Sequence, residues 1–535
     1  MDSESSARRG DARRRLWLLL VLGALGLALI AFGARFHPIE EAGTAERDGF
    51  VAQADLLLAG EVPRDAFRPL LYPLTVAALA PLVGDTFTAA RLCSNLAAVA
   101  LVLLAFAFAR QLVPERPAVA WWALALLAVN PNLWILGQHV STDMFFAALG
   151  AASLLLALRF RQQPTVAMAL ALGAGLGLAA FSRGSALFLV PPVLWALWSG
   201  RHRPALWGWA CLAFGITLAP HFGLRFVAFG DPFHDENWKN LAFKLYGYPD
   251  WSYLERVPFS GLGEVLLADP LAVLWGGMRE AARFLVGGLK HLLGTPLHGL
   301  LLGLGMWAAW RRSKDRPVLL WLLFAIGIFL AGLCFTFFAW GRLVLPLLPI
   351  LVTLSACAWW LAPGGRRWPQ AVGVALVLLL AIKTFAFRLP AFVERHPAAE
   401  LAMLQRLALE VEPGRSLAGT MPFAGRDLTV PYVALPDALG QWAASPAYYQ
   451  SLAELCDREA VDYLVISALE LRQRPAALLS EPAPVSWLEA VQITDGVAAW
   501  RVRRTPVETE SAGDDPEGAS EEKIDPPRAS GDDLL

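Results

Sequence analysis

Long apolar runs separated by short polar or basic stretches fill the first two thirds of the chain. The first, Leu16–Phe36, is long enough to cross a hydrocarbon core of about 30 Å. Arg13, Arg14 and Arg15 ahead of it would also suit a secretory leader, but the run is long for one and many more follow. Further runs lie near 88–110, 118–136, 143–159, 165–182, 184–199, 205–224, 295–310, 317–337, 342–361 and 370–387, which predicts about 11 transmembrane helices. Residues 69–83 are apolar but short and carry three prolines, which predicts a helix in or dipping into the membrane interface. Leu262–Leu293 is amphipathic, with Arg279, Glu280, Arg283 and Lys290 on an otherwise apolar pattern, and is expected to rest on the outer surface.

From about residue 389 the pattern becomes that of a soluble domain. Arg415–Met421, Val461–Ser467 and Ala498–Val502 read as buried strands, and Ala398–Glu410 and Tyr448–Arg458 as helices between them. Residues 506–535 are acidic, rich in Ser, Pro and Gly, and nearly free of aliphatics, the composition of a disordered tail. The expected architecture is therefore an all-α multi-pass membrane domain over 1–388, a small C-terminal α/β domain over 389–505, and an acidic tail. No internal repeat suggests a symmetric transporter.

Composition fixes the environment. Of 535 residues, 56% are hydrophobic and 17% charged, against about 25% charged in soluble proteins. The formal net charge of -1 hides a segregation of basic loops from acidic tail. Arginine and lysine recur at Arg8–Arg15, Arg110/Arg116, Arg159/Arg161, Arg201/Arg203, Arg311–Arg316 and Arg366/Arg367, in alternate loops of the eleven-helix arrangement. The positive-inside rule puts these loops and the N-terminus in the cytoplasm and the C-terminal domain on the outer face. A chain rich in Ala, Leu and Arg suits a bacterium with a GC-rich genome, so the expected site is the cell inner membrane and the outer face is periplasmic. The five cysteines show no zinc-site spacing or disulfide framework. Nothing calls for a nucleic-acid partner or a cofactor.

The candidate chemistry lies at the outer boundary. The loop after the first run holds Glu40, Glu41, Glu46, Asp48 and Asp55 between two apolar regions, where acids are costly unless solvated, paired or used. Asp143 follows Ser141-Thr142 at the start of a run, a place that also suits helix capping. Arg183 and Arg342 face outward against the positive-inside trend. They suit lipid head groups, or bidentate capture of a phosphate. His221, His234, Asp235 and Glu236 crowd the next long loop; polar loop residues this dense are usually solvated or bonded to one another, so no metal is assigned.

These pieces together resemble a known family. Asp48-Gly49-Phe50, Ala54, Gly60, Arg68-Pro-Leu-Leu-Tyr-Pro and Gly84-Asp85 through Arg91 resemble the start of GT-C glycosyltransferases. The resemblance is to the polyprenyl-phosphate-sugar-dependent group, which includes protein O-mannosyltransferases and the aminoarabinose transferases of lipid A. Ser141-Thr-Asp143, Gly173–Arg183 and Gly341-Arg342 through Pro349 resemble later family features, and the likeness spans roughly residues 16–361. It implies inverting transfer of a monosaccharide from a polyprenyl-phosphate donor to a hydroxyl of a lipid, protein or glycan acceptor. It further implies Asp48 as general base and Asp143 as a second acid that orients the acceptor or a partner cation. Arg183 and Arg342 would hold phosphate, and Glu41, His221 and Lys239 would line the substrate site. Many members have an Asp-Glu pair and a Tyr where this chain has Arg47-Asp48 and Phe50, so Glu40, Glu41 and Glu46 stay open as the base.

Two rival readings remain. A lipid or polysaccharide transporter or flippase predicts paired charges in mid-membrane and broken helices in related halves. A non-catalytic envelope assembly protein predicts a first loop that tolerates loss of charge. Among enzymes, an oligosaccharyltransferase fits less well, because its larger C-terminal domain and tryptophan-rich acceptor motif are not found.

Overall fold

The computed structural model describes residues 2–35, 49–198, 203–246, 259–312, 316–337, 339, 341–361, 368–390, 398–420, 428–435, 446–467, 478, 482–494 and 497–503. Its contacts divide the chain into two units, one of Met1–Asn237 with Asp269–His396, the other of Trp238–Ala268 with Pro397–Leu535.

The first unit is helical. In chain order it contains α1 (Asp2–Arg35), α2 (Phe50–Leu58), α3 (Leu71–Val83), α4 (Thr86–Leu112), α5 (Pro117–Ala128), α6 (Pro131–Leu136), α7 (Thr142–Gln162) and α8 (Val166–Ser182). A 3-10 segment Gly184–Leu189 leads into α9 (Val190–Trp198), and α10 (Pro204–Phe229) follows. All eleven predicted runs are helical in whole or in part. Among the described residues six segments, including Thr86–Leu112 and Gly341–Trp359, are long and apolar enough to cross a membrane. The other five runs are shorter or interrupted. The run 118–136 breaks between α5 and α6 because Pro131 disfavours helical backbone at Asn130, which is extended there (ψ 126°) and caps α6 through Asn132 N–H.

Local chemistry sets the helix ends. Asp85 accepts from Thr88 N at 2.9 Å and starts α4. At α7, Ser141 is the cap, Asp143 lies in the first turn, and Arg159 and Arg161 lie in the last, so both ends complement the helix dipole. The buried positions Ala97, Leu101, Ala105 and Phe108 of α4 recur at helical spacing and join the main core. At Gly173 and Gly177 on α8 an added Cβ would collide with Ala210 and Thr217 of α10, so these glycines permit the close approach of the two helices.

The amphipathic stretch after the long loop divides. Its first part, α12 (Leu262–Ala268), falls in the second unit with α11 (Trp238–Tyr246). The remainder, in the first unit, is α13 (Pro270–Arg283), a π-helical segment Phe284–Gly288 and α14 (Leu289–Leu293). Pro270–Leu293 bends by 100° into α15 (Pro296–Arg312). After α16 (Arg316–Thr336), a 3-10 segment Gly341–Leu347 carries Pro346 and leads into the buried α17 (Leu348–Ala356). The last helix of this unit is α18 (Trp368–Ile382), extended by a π-helical turn Lys383–Arg388.

The second unit is an α/β layer with α19 (Ala398–Leu407), β1 (Ser416–Gly419), β2 (Tyr432–Ala434), α20 (Pro446–Arg458), β3 (Val461–Ser467), β4 (Leu488–Thr494) and β5 (Val497–Val502). The sheet order is β2-β1-β3-β5-β4, with β1 parallel to β2 and β3, and β5 antiparallel to β3 and β4. Trp500 is fully buried among Leu452, Cys456 and Leu464, and its indole N–H donates to the Leu478 carbonyl at 2.8 Å. Strands β2 and β4 go beyond the three predicted from sequence. The predicted tail at 506–535 lies outside the described residues.

Candidate active site

Three sequence candidates converge. Ser141 has extended backbone (φ -139°, ψ 164°), which ends the preceding loop and opens α7. Its hydroxyl accepts from Asp143 N at 3.4 Å, and Asp143 is only 3% exposed. Arg183, the extended residue that closes α8, donates to Asp143 Oδ1 and to Thr142 Oγ1, the latter at 3.4 Å. Arg342, in the 3-10 segment ahead of α17, lies 3.7 Å from Asp143 Oδ2. Each carboxylate oxygen therefore faces a different guanidinium. A buried carboxylate must be paired in this way or it strongly destabilises the fold. One acid between two arginines leaves a formal charge of +1 on the trio. The arginine side chains are 24% and 29% exposed, so both guanidinium groups are partly accessible from outside the trio.

Glu280 has a role that is not visible in the sequence. It is buried on α13 beside Gly276 and Gly277, and its Oε1 accepts at 3.1 Å from the backbone N–H of Ala339, three residues before Arg342. A lone acid on the apolar side of an amphipathic helix was the available signal.

The first loop is also braced. Phe50 packs edge-on against Tyr72 (5.5 Å between centroids), and Tyr72 against Phe145 (5.6 Å) in the first turn of α7. Tyr72 is fully buried and donates to the Ala90 carbonyl at 2.9 Å. Asp65 Oδ1 accepts from Phe67 N and Arg68 N at 2.8 and 2.9 Å, while Oδ2 takes Gln53 Nε2 at 2.7 Å and Arg68 at 3.2 Å. From α10, Arg225 reaches the Asp65 carbonyl at 2.7 Å, and Asn237 reaches the Phe67 carbonyl at 2.7 Å.

Asp48 and Glu41, with Glu40 and Glu46, lie outside the described residues, which resume at Gly49. His221 is half-buried on α10 with its ring 5.6 Å from that of Phe181, near the end of α8. Lys239 falls in the second unit, over the ring of Trp238. His234 stacks on Phe229 and Asp235 accepts from Asn237, so these polar loop residues are engaged locally. Among the described residues no three His, Cys, Asp or Glu side chains converge as a metal site. Arg91 and Asn95 are structural: Arg91 donates to Gly33 of α1, and Gln138 bridges Asn95 and Leu29.

This helical bundle with its appended sheet has the GT-C fold of membrane glycosyltransferases. Residues 67–222 match the sequence family described as dolichyl-phosphate-mannose-protein mannosyltransferase. The chain is similar to the structure of ArnT from Cupriavidus metallidurans bound to undecaprenyl phosphate, with TM-score 0.52, 15% identity, and coverage of 90% of this chain and 97% of that one. Apo ArnT from the same organism gives TM-score 0.53 at 14% identity, covering 91% and 98%. The Archaeoglobus fulgidus oligosaccharyltransferase, in complex with zinc and sulfate, gives TM-score 0.52 at 12% identity, covering 91% of this chain and 73% of that chain. No curated protein matches the chain by sequence.

Proposed function

We propose that this protein is a multi-pass membrane glycosyltransferase that moves a monosaccharide from a polyprenyl-phosphate donor to a hydroxyl acceptor, with inversion, on the periplasmic face of the inner membrane. The observation that carries this reading is Asp143, buried and shared between the guanidinium groups of Arg183 and Arg342. ArnT, whose fold the chain shares, is described with undecaprenyl phosphate bound.

The chemistry follows from charge. Asp48 takes the proton of the acceptor hydroxyl as its oxygen attacks the anomeric carbon from the face opposite the phosphate. The bond between the anomeric carbon and the phosphate oxygen breaks, and its electron pair leaves on the polyprenyl phosphate. That group gains a negative charge as it departs. Arg183 and Arg342 stabilise the gain because they are already in place. Asp143 acts on the arginines, holding both guanidinium groups at fixed positions. His221, whose ring lies 5.6 Å from that of Phe181, is assigned to substrate contact, and Glu41 and Lys239 are assigned to substrate binding on the sequence resemblance alone.

The test is release of free polyprenyl phosphate by the purified protein from a panel of polyprenyl-phosphate sugars, with a membrane extract as acceptor source. Release by wild type that collapses in Asp48→Asn and in Arg342→Gln supports the reading. Release that persists in Asp48→Asn moves the base to another acid of the first loop. No release across the panel, from folded protein beside a working control enzyme, turns the assignment to transport or assembly.

A further inference from the structure

A second cationic pocket lies in the first unit, where α5 ends, α15 begins and α18 passes into its π-helical turn. Asn130, Thr295, His298, Lys383 and Arg388 are among the residues that line it. Its empty space is about 250 Å³ including open solvent at the mouth, and the centre of a water-sized sphere has about 10 Å³ to move in. That room suits a single water or one phosphoryl oxygen.

The walls are fixed. Thr384 donates to the Val129 carbonyl at 2.7 Å, and Asn130 to the Leu292 carbonyl at 3.0 Å. Thr295 Oγ1 accepts from His298 N at 3.1 Å at the start of α15. His298 is 1% exposed, and its Nδ1 lies 3.0 Å from the Leu293 carbonyl. A carbonyl only accepts, so Nδ1 carries hydrogen, and Nε2 is buried with no hydrogen-bond partner. A buried polar atom of this kind needs a ligand.

The charge around it has one sign. Lys383 spends one donor on the Gly294 carbonyl at 3.0 Å and feels the charges of Arg388 and Lys290. Among the described residues no Asp or Glu lines the pocket. The helix N-terminus of α15 adds to the positive potential. Beside the mouth, Phe385 and Phe387 are exposed, with Phe385 packed edge-on to Trp134 at 5.0 Å, which provides an apolar surface for a lipid tail.

We infer that this pocket binds the phosphate head group of a membrane lipid, with one phosphoryl oxygen at His298 Nε2 and the others at Lys383 and Arg388. A singly protonated phosphomonoester donates its proton to the neutral ring at Nε2, whereas a phosphodiester, which has no proton to give, is held by Lys383 and Arg388 and meets Nε2 through a water that donates to both. None of these residues belongs to the Asp143 trio, so the pocket stands whether or not the proposed transfer reaction does.

The experiment uses full-length protein, stripped of lipid and studied by native mass spectrometry with phosphatidylglycerol, polyprenyl phosphate or uncharged diacylglycerol. An Arg342→Gln background removes binding at the proposed donor site. One phosphate-bearing lipid is expected to stay bound, about thirtyfold more weakly in Lys383→Gln/Arg388→Gln. His298→Gln should also weaken it; because His298 is buried, the double variant at the half-buried and exposed positions is decisive if His298→Gln does not fold. Preference for phosphatidylglycerol identifies a bulk membrane lipid, preference for polyprenyl phosphate identifies the carrier, and displacement of both by inorganic phosphate shows that the head group alone is recognised. Equal affinity in wild type and the double variant, or equal retention of diacylglycerol, overturns the assignment.

Discussion

Asp143 and Asp65 are both carboxylates held by arginine in the first unit, yet they are compensated in different ways. The Asp65 carboxylate finds most of its partners nearby, in two backbone N–H groups and in Arg68 three residues on, while Gln53 of α2 reaches Oδ2 and Arg225 of α10 binds the Asp65 carbonyl. Asp143 has a capping serine nearby, but its charge is met by Arg183 from the end of α8 and Arg342 from the turn before α17. Asp65 therefore shapes a turn. Asp143 joins three parts of the bundle and fixes two cations that can act on a third group. Burial alone does not distinguish the two acids; the origin of the compensating charge does, and under the proposed function that origin is what gives Asp143 its role.

The largest expected effect tests that contrast directly. Arg183→Met leaves a buried carboxylate with only the more distant arginine and should cost about 3 kcal/mol, read as a lower midpoint of thermal unfolding in detergent. Donor turnover should fall about a hundredfold or more at temperatures where the variant is folded. A variant with lowered stability but wild-type turnover would place Asp143 with Asp65 as a structural acid.

A smaller effect is expected from Arg342→Lys, which keeps the charge but loses the planar fork. KM for the donor should rise about tenfold while the unfolding midpoint changes little. An unchanged KM would remove Arg342 from the phosphate site.

Asp65→Ala should cost about 1–2 kcal/mol by releasing the turn at Phe67 and Arg68. Because the turn braces the first loop rather than binding the donor, kcat should fall further than KM rises. Steady-state kinetics and a thermal melt check both parts.

The smallest effect belongs to Glu489 and Arg503 in the sheet unit, an exposed pair with closest oxygen–nitrogen distance 3.1 Å that sets the baseline for the other two. The hydrogen bond and charge of Arg503 hold the Glu489 carboxyl below its usual range. A lowered folded-state value means the contribution is fully present above the ordinary carboxylate range and is lost as pH falls through the lowered value. Glu489→Gln should leave the midpoint at pH 7 nearly unchanged. A large shift there would mean that the exposed pair carries more than its solvation allows. In the same unit, burial pushes the Cys456 thiol up to about 12, so it should resist alkylation at pH 8 until the domain unfolds, which mass spectrometry of labelled protein checks.

The legible part of the fold was the part with a local cause. Apolar runs such as 86–112 and 316–336 are helical because no other backbone satisfies its hydrogen bonds in hydrocarbon. Strand β3 was readable from the alternation and branching of Val461–Ser467, whereas β2, only three residues long, had too little pattern to declare itself. The Asn130-Pro131 break was written in the sequence but was outweighed by the continuous apolar character around it. In the site, Asp143, Arg183 and Arg342 were found because charge at the end of an apolar run is costly and therefore informative. Asp65, Arg225 and Glu280 were not, because each works by holding backbone groups whose positions the sequence does not reveal.

By itself, the sequence determined that this is a multi-pass membrane protein with a small α/β domain, and which charged residues stand at the ends of its helices. Hydrophobicity and capping are read from neighbours along the chain, so they survive in one dimension. Only the tertiary structure decided that Arg183 and Arg342 meet the same carboxylate, that Glu280 and Arg225 brace the segments around them, and that Lys383 and His298 line one pocket. These are matters of which helix ends come together, and that is set by packing at places such as Gly173 against Ala210, not by any local pattern.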